Sequence, residues 1–202
     1  MTLTQKLNAK FSTTKFSFWL VYSLSRLLSF LYIWKTGRIA KLPWCNLLRD
    51  IEEALRTLKW SADEFNIGGF TFKHFWMRKA EETQWYLNHN LMPQVDCDEF
   101  ALYAAEALKG CEEGGDPRIL TVRWTDANGD VQGHNVAIYS YATQNWVRQY
   151  GHMGNWGHFR GFNSVAQIAD SIATQAKGQL LSYAVATPEL KILYNERFKT
   201  NS

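Results

Sequence analysis

Residues 96–109 read DCDEFALYAAEALK and decide the architecture. Asp96 is a residue type that accepts hydrogen bonds from the open N–H groups of a first helical turn. Glu99 stands three places later and completes a capping-box pattern. Phe100, Ala101, Ala104, Ala105 and Leu108 then recur at helical spacing, and Gly110 with Gly114-Gly115 closes the segment. The stretch predicts a buried helix with a cysteine, Cys97, in its first turn.

Downstream the period changes from helical to alternating. Residues 119–125 (ILTVRWT) read as a strand, and Asp126-Ala-Asn-Gly-Asp130 as a hairpin turn. Residues 131–141 form the returning strand, and a turn near 143–145 leads to a third strand over about 146–154. A helix follows over 164–176 and a strand over 179–186. Pro188 suits the first turn of a C-terminal helix. Upstream, NLLRDIEEALRTLKW (46–60) is a helix with Leu47, Ile51, Ala54, Leu55 and Leu58 on one face. Ser61-Ala-Asp63 breaks it, Gly68-Gly69 marks a loop, residues 72–89 read as helical, and Pro93 ends that stretch. Helices first and an antiparallel meander after them predict an α+β domain. The domain is expected over 44–202, preceded by a basic and hydrophobic helical segment over 1–43.

The bulk numbers agree with one core. The chain has 202 residues, 46% of them apolar and 15% aromatic, so disorder is not expected over most of its length. A net charge of +3 lacks the dense basic footprint of nucleic-acid recognition. Three cysteines, Cys45, Cys97 and Cys111, have no paired spacing, which argues against a disulfide framework. Free thiols fit a reducing cytoplasm. His152 and His158 match no zinc pattern.

Residues 16–34 (FSFWLVYSLSRLLSFLYIW) are apolar and long enough to cross a bilayer, with Lys15 before them and Lys35, Arg38 and Lys41 after. Arg26 near the centre counts against a simple span. Ser17, Ser23, Ser25 and Ser29 do not gather on one helical face, so an interfacial helix is not clearly written. Two readings stand: a helix packed on the domain or on a partner protein, and contact with a membrane.

Cys97 is the residue that carries chemistry. Unpaired N–H groups and the helix dipole favour a thiolate in a first turn, and the thiolate is the nucleophile. Asp96, Asp98 and Glu99 oppose this by raising the thiol pKa. Nucleophilic use therefore requires a compensating positive charge, from a protonated His134 or a bound cation. The alternative is a buried, inert cysteine. His134 begins the second strand of the meander, sharing a face with Val136 and Ile138. A hairpin turning near 144–145 would put Asn155 opposite His134, where it could orient the imidazole.

Asp96-Cys97-Asp98-Glu99-Phe100-Ala101 resembles the nucleophile motif of transglutaminase-like cysteine enzymes, including the bacterial transglutaminase-like cysteine peptidases. Gly133-His134-Asn135-Val136 resembles their histidine strand, and helix 46–58 with Trp60-Ser-Ala-Asp63 resembles the segment that leads into their domain. The likeness covers about residues 44–160. It implies a papain-like fold, a cysteine helix packed on an antiparallel sheet, and acyl transfer through a thioester. It implies Cys97 and His134 as catalytic residues, with Asn155 taking the third role because no Asp stands at the usual spacing. Val95 replaces the customary glycine. Besides the Cys97 backbone N–H, the resemblance offers Trp60 and Gln94 as oxyanion donors. Some members bind calcium beside the nucleophile, which would fall on Asp96 and Asp98. The expected function is a cysteine peptidase or amidase acting on protein or peptide substrates without a required cofactor. The alternatives are a protein-glutamine acyltransferase and a catalytically inactive module of the same fold.

Overall fold

The computed structural model describes residues 13–61, 64–67, 70–73, 78–91 and 95–198. Its helices are α1 (Lys15–Thr36), α2 (Leu48–Arg56), α3 (Ala80–Asn88), α4 (Cys97–Leu108) and α5 (Val165–Gln175). A small hairpin pairs β1 (Glu64–Ile67) with β2 (Phe70–Lys73). The main sheet contains β3 (Gly115–Thr125), β4 (Val131–Ala142), β5 (Arg148–Gly154), β6 (Gly157–Phe162), β7 (Gln179–Ala186) and β8 (Ile192–Arg197). Its order is β6-β5-β4-β3-β7-β8, antiparallel throughout. The chain is thus α+β, with α1 preceding the mixed domain.

Strand alternation splits the interior into two layers. Ile119, Ala137, Tyr139 and Met153 face α4 and α2, together with Phe100, Ala101, Leu102 and Ile51. Leu120, Val122, Val136 and Ile138 face α5, through Ile168, Ala169 and Ile172. Helix α4 is buried on every side except at Glu106. Its alanines let it lie close to the sheet. The glycine of β5 at 151 serves the same closeness. A Cβ there would run into the Tyr139 phenol. Gly151→Ala is expected to destabilise the fold by about 1–3 kcal/mol through overpacking, read as a lower urea midpoint at unchanged m-value.

Three expectations are corrected. Residues 72–89 are not one helix: Phe70–Lys73 is a strand, and α3 starts at Ala80. The reason is in the sequence, where Phe65, Ile67, Phe70 and Phe72 alternate around Gly68-Gly69, a two-residue hairpin signal. The C-terminal helix after Pro188 is strand β8, because the edge of β7 was open for pairing and Ile192 to Arg197 fills it. In α2, Leu48 takes the buried place expected of Leu47, which stays 40% exposed before the first turn. Strand β6 and the early start of β3 went unread. The other elements fall where the periodicity put them, β7 to the residue.

Candidate functional site around Cys97

Helix α4 begins as its sequence dictates. The Asp96 carboxylate accepts from the Asp98 N–H at 2.8 Å, and Glu99 reaches back to the Asp96 N–H at 2.9 Å. The second Glu99 oxygen accepts from the Arg78 N–H at 3.2 Å, tying the approach to α3 onto the same turn. Asp96, Cys97, Asp98 and Glu99 are all buried.

Cys97 Sγ donates to Asp98 Oδ1 at 3.4 Å, and the Asn135 backbone N–H points at the sulfur. Burial, followed by the Asp98 and Asp96 charges, pushes the thiol well above its ordinary pKa; the Asn135 N–H pulls the other way. Burial and the Asp96 carboxyl likewise push Glu99 well above the usual carboxylate range. The resting site therefore carries a protonated thiol.

The β3–β4 register fixes what each strand residue can reach. Thr121 faces Asn135, and Val122 faces His134. Asn135 lies on the α4 side: its Nδ2 donates to Asp98 Oδ1, and its Oδ1 accepts from Thr121 Oγ1. The Thr121 proton is thereby committed, so the Tyr22 hydroxyl bonded to Thr121 Oγ1 is the donor. A polar chain runs from Tyr22 on α1 through Thr121, Asn135 and Asp98 to Cys97. His134 is 4% exposed, and its ring stacks on Trp156 at 3.9 Å and 19°, beside the core that faces α5.

Cys97 and His134 border one cavity of about 230 Å³, together with Asp98, Thr121, Arg123 and Asn135. Phe18, Val21 and Tyr22 of α1 wall it on one side, and the start of β4 (131–133) completes the lining. Phe18 and Tyr22 are each 2% exposed, and the Arg123 guanidinium lies 5.7 Å from the Phe18 ring centroid. The N-terminal helix thus covers the thiol.

The remaining candidates sit elsewhere. Ala137 pairs with Met153, so the β4–β5 turn centres on Asn145 and the ladder points Trp156 rather than Asn155 at His134. The expected register is one residue off. Asn155 lies in the turn from β5 to β6 and borders a second cavity of about 300 Å³ with Trp60, Glu52, Phe100 and His158. Trp60 is 54% exposed and its backbone bridges to Val95. Gln94 lies outside the described residues. The ligand atoms of Asp96, Cys97 and Asp98 fall within 4.8 Å of one another. Two carboxylates that already accept hydrogen bonds are a poor match to the roughly six to eight oxygens calcium takes, so the donor set does not fit that ion.

Sequence reading missed Phe18, Tyr22, Thr121 and Asn135. Only Asn135 carried a usable signal, since it alternates with Ala137 and Tyr139 toward the cysteine helix. Comparison with protein-family models gives no match, and comparison with curated proteins gives none either.

Proposed function

We propose that this chain is a transglutaminase-like thiol enzyme, held latent by its own N-terminal helix. The observation that carries the reading is a cysteine in the first turn of a buried helix, bordering the same cavity as a histidine on the adjoining antiparallel strand, whose ring is turned onto Trp156 on the α5 side and has to swing into that cavity to act. In this reading the core is papain-like. Cys97 attacks an amide carbonyl, His134 accepts the thiol proton, and the Cys97 backbone N–H faces the developing oxyanion. The thioester passes to water in a peptidase or amidase, and to an amine in an acyltransferase. No cation enters the scheme.

A second reading has its own support. The polar chain satisfies Asp98 and Asn135 internally, His134 is engaged with Trp156, and the thiol is protonated. Those features suit a catalytically inactive module that keeps the fold.

The two separate by reaction with peptidyl vinyl sulfones, followed by mass spectrometry. With Phe18 replaced by Ala to open the cavity, an enzyme is expected to be modified at Cys97 in preference to Cys111, which is partly exposed and serves as the internal control. His134→Ala should slow Cys97 modification by about 100-fold, the usual size of a lost general base, and leave Cys111 unchanged. Equal modification of Cys97 in both proteins, once Phe18 has been replaced by Ala to open the cavity, would establish the inactive module.

A further inference from the structure

Helix α1 is amphipathic in an unusual sense. The face turned to the domain carries Phe18, Tyr22, Ser25 and Ser29, all buried. The opposite face carries Phe16, Trp19, Leu20, Leu27, Phe30, Leu31 and Trp34, exposed by between 42% and 77%. Past the helix, Ile39 and Trp44 are also exposed, by 54% and 75%. Soluble helices turn the apolar face inward. Here it is left outside, and a contiguous exposed patch of aromatics marks an interaction surface.

We infer that α1 lies flat on an anionic lipid surface, with its serine face on the domain and its aromatic face among the acyl chains. Three observations select this occupant. First, residues 15–45 hold five cations (Lys15, Arg26, Lys35, Arg38 and Lys41) and no Asp or Glu, the charge complement of acidic headgroups. Second, Arg26 is exposed at the edge of the apolar face, where its guanidinium can reach the headgroups. Third, the inward face is fastened to the domain along the helix. Tyr22 bonds Thr121 near one end, Tyr32 bonds the Tyr86 hydroxyl at 2.6 Å near the other, and Arg38 bonds both of those tyrosines. A helix held sideways against a polar domain presents one face to lipid and cannot be lipid-surrounded across a bilayer, although its length and hydropathy would allow a span.

Flotation of the full chain with lipid vesicles tests this. Binding is expected to vesicles of phosphatidylcholine with phosphatidylglycerol, weakened by salt and released by alkaline carbonate. Trp19→Ala/Phe30→Ala/Trp34→Ala removes exposed rings only, so its circular dichroism and melting should match wild type while binding falls by about tenfold or more. Lys35→Glu/Lys41→Glu should lose the preference for the anionic vesicles and keep the fold. Absence of wild-type binding at low salt would overturn the inference. So would binding that survives the aromatic substitutions, retention after carbonate (a spanning helix), or an aromatic-dependent self-association without vesicle binding (a second copy on this face).

Discussion

Iodoacetamide is expected to alkylate Cys97 of the native chain more than about tenfold more slowly at pH 7 than a free cysteine, and replacing Phe18 and Tyr22 by Ala is expected to recover that factor. Each unit by which the thiol pKa stands above its ordinary value costs tenfold in thiolate, the reacting form. Burial is the largest cause of the rise at Cys97, with Asp98 and Asp96 next. Burial comes in part from α1, since Phe18, Val21 and Tyr22 wall the cavity. Removing two of those side chains admits water and restores dielectric screening of the two carboxylates. Tyr22→Phe separates the causes: it cuts the hydrogen bond to Thr121 and keeps the ring, so it should leave alkylation slow. Labelling read by peptide mass spectrometry over a pH series gives both rate and apparent pKa. Fast alkylation of the native chain at pH 7 would contradict the covered, protonated thiol directly.

Substituting Glu82 by Gln is expected to stabilise the protein at pH 8 by on the order of 3 kcal/mol relative to its effect at pH 4. Glu82 on α3 is fully buried, and neither carboxylate oxygen has a hydrogen-bond partner among the described residues. Burial raises its pKa from 4.5 to about 7, against the partial pull of Arg78 and Arg38. A carboxyl whose folded pKa is raised binds its proton more tightly in the native state. Its contribution is intact below about 4.5 and is lost as pH climbs to about 7. The amide of the variant cannot ionise, so the difference between variant and wild type should grow across that window and be flat outside it. The slope should approach about 1.4 kcal/mol per pH unit in the middle of the window. His152 gives the mirror image. Burial, helped by the His158 charge, lowers it from 6.5 to about 4. Its native state prefers the neutral ring, so stability is intact above about 6.5 and is lost as pH falls to about 4. His152→Gln should therefore narrow its deficit against wild type on acidification, whatever its fixed packing cost. Urea unfolding of the three proteins at several pH values measures both differences. A pH-independent difference for Glu82→Gln would mean that Glu82 ionises in the folded protein as easily as in the unfolded one.

The two predictions share a physical origin. This fold places several ionisable groups where water does not reach: Asp96, Asp98 and Glu99 around the start of α4, Glu82 on α3, and His134 and His152 within the sheet. Such groups are costly unless they are hydrogen-bonded or neutral. Around Cys97 the cost is met by a network that runs to α1. At Glu82 it is met by a proton. Perturbed groups cluster at functional sites often enough to mark them as candidates, and the cluster at α4 is the one that also borders a cavity.

What the sequence determined by itself is local. Asp96 and Glu99 cap α4 because the capping pattern needs only residues three apart. The alternation of residues 131–141 and the polar turn before them produced β4 without outside help, as did the run that became β7. Once helices and strands were known, the α+β class followed from their order.

The tertiary structure decided everything that depends on one residue of register or on a distant partner. The β4–β5 turn centres on Asn145, and that single position puts Trp156, not Asn155, against His134, since a one-residue slip exchanges the two faces of a strand. The same alternation sends Asn135 to Asp98. Strand β8 exists because β7 offered an unpaired edge, which no property of residues 192–197 could announce. Three of the four serines of α1 are buried with Phe18 and Tyr22 while Phe16, Trp19, Phe30 and Trp34 are exposed, and the bonds of Tyr22 to Thr121 and of Tyr32 to Tyr86 hold the helix in that orientation. Helical periodicity measures which residues share a face. It does not say which face meets the protein, and the choice here is made by polar groups far away in the chain, 99 residues between Tyr22 and Thr121 and 54 between Tyr32 and Tyr86.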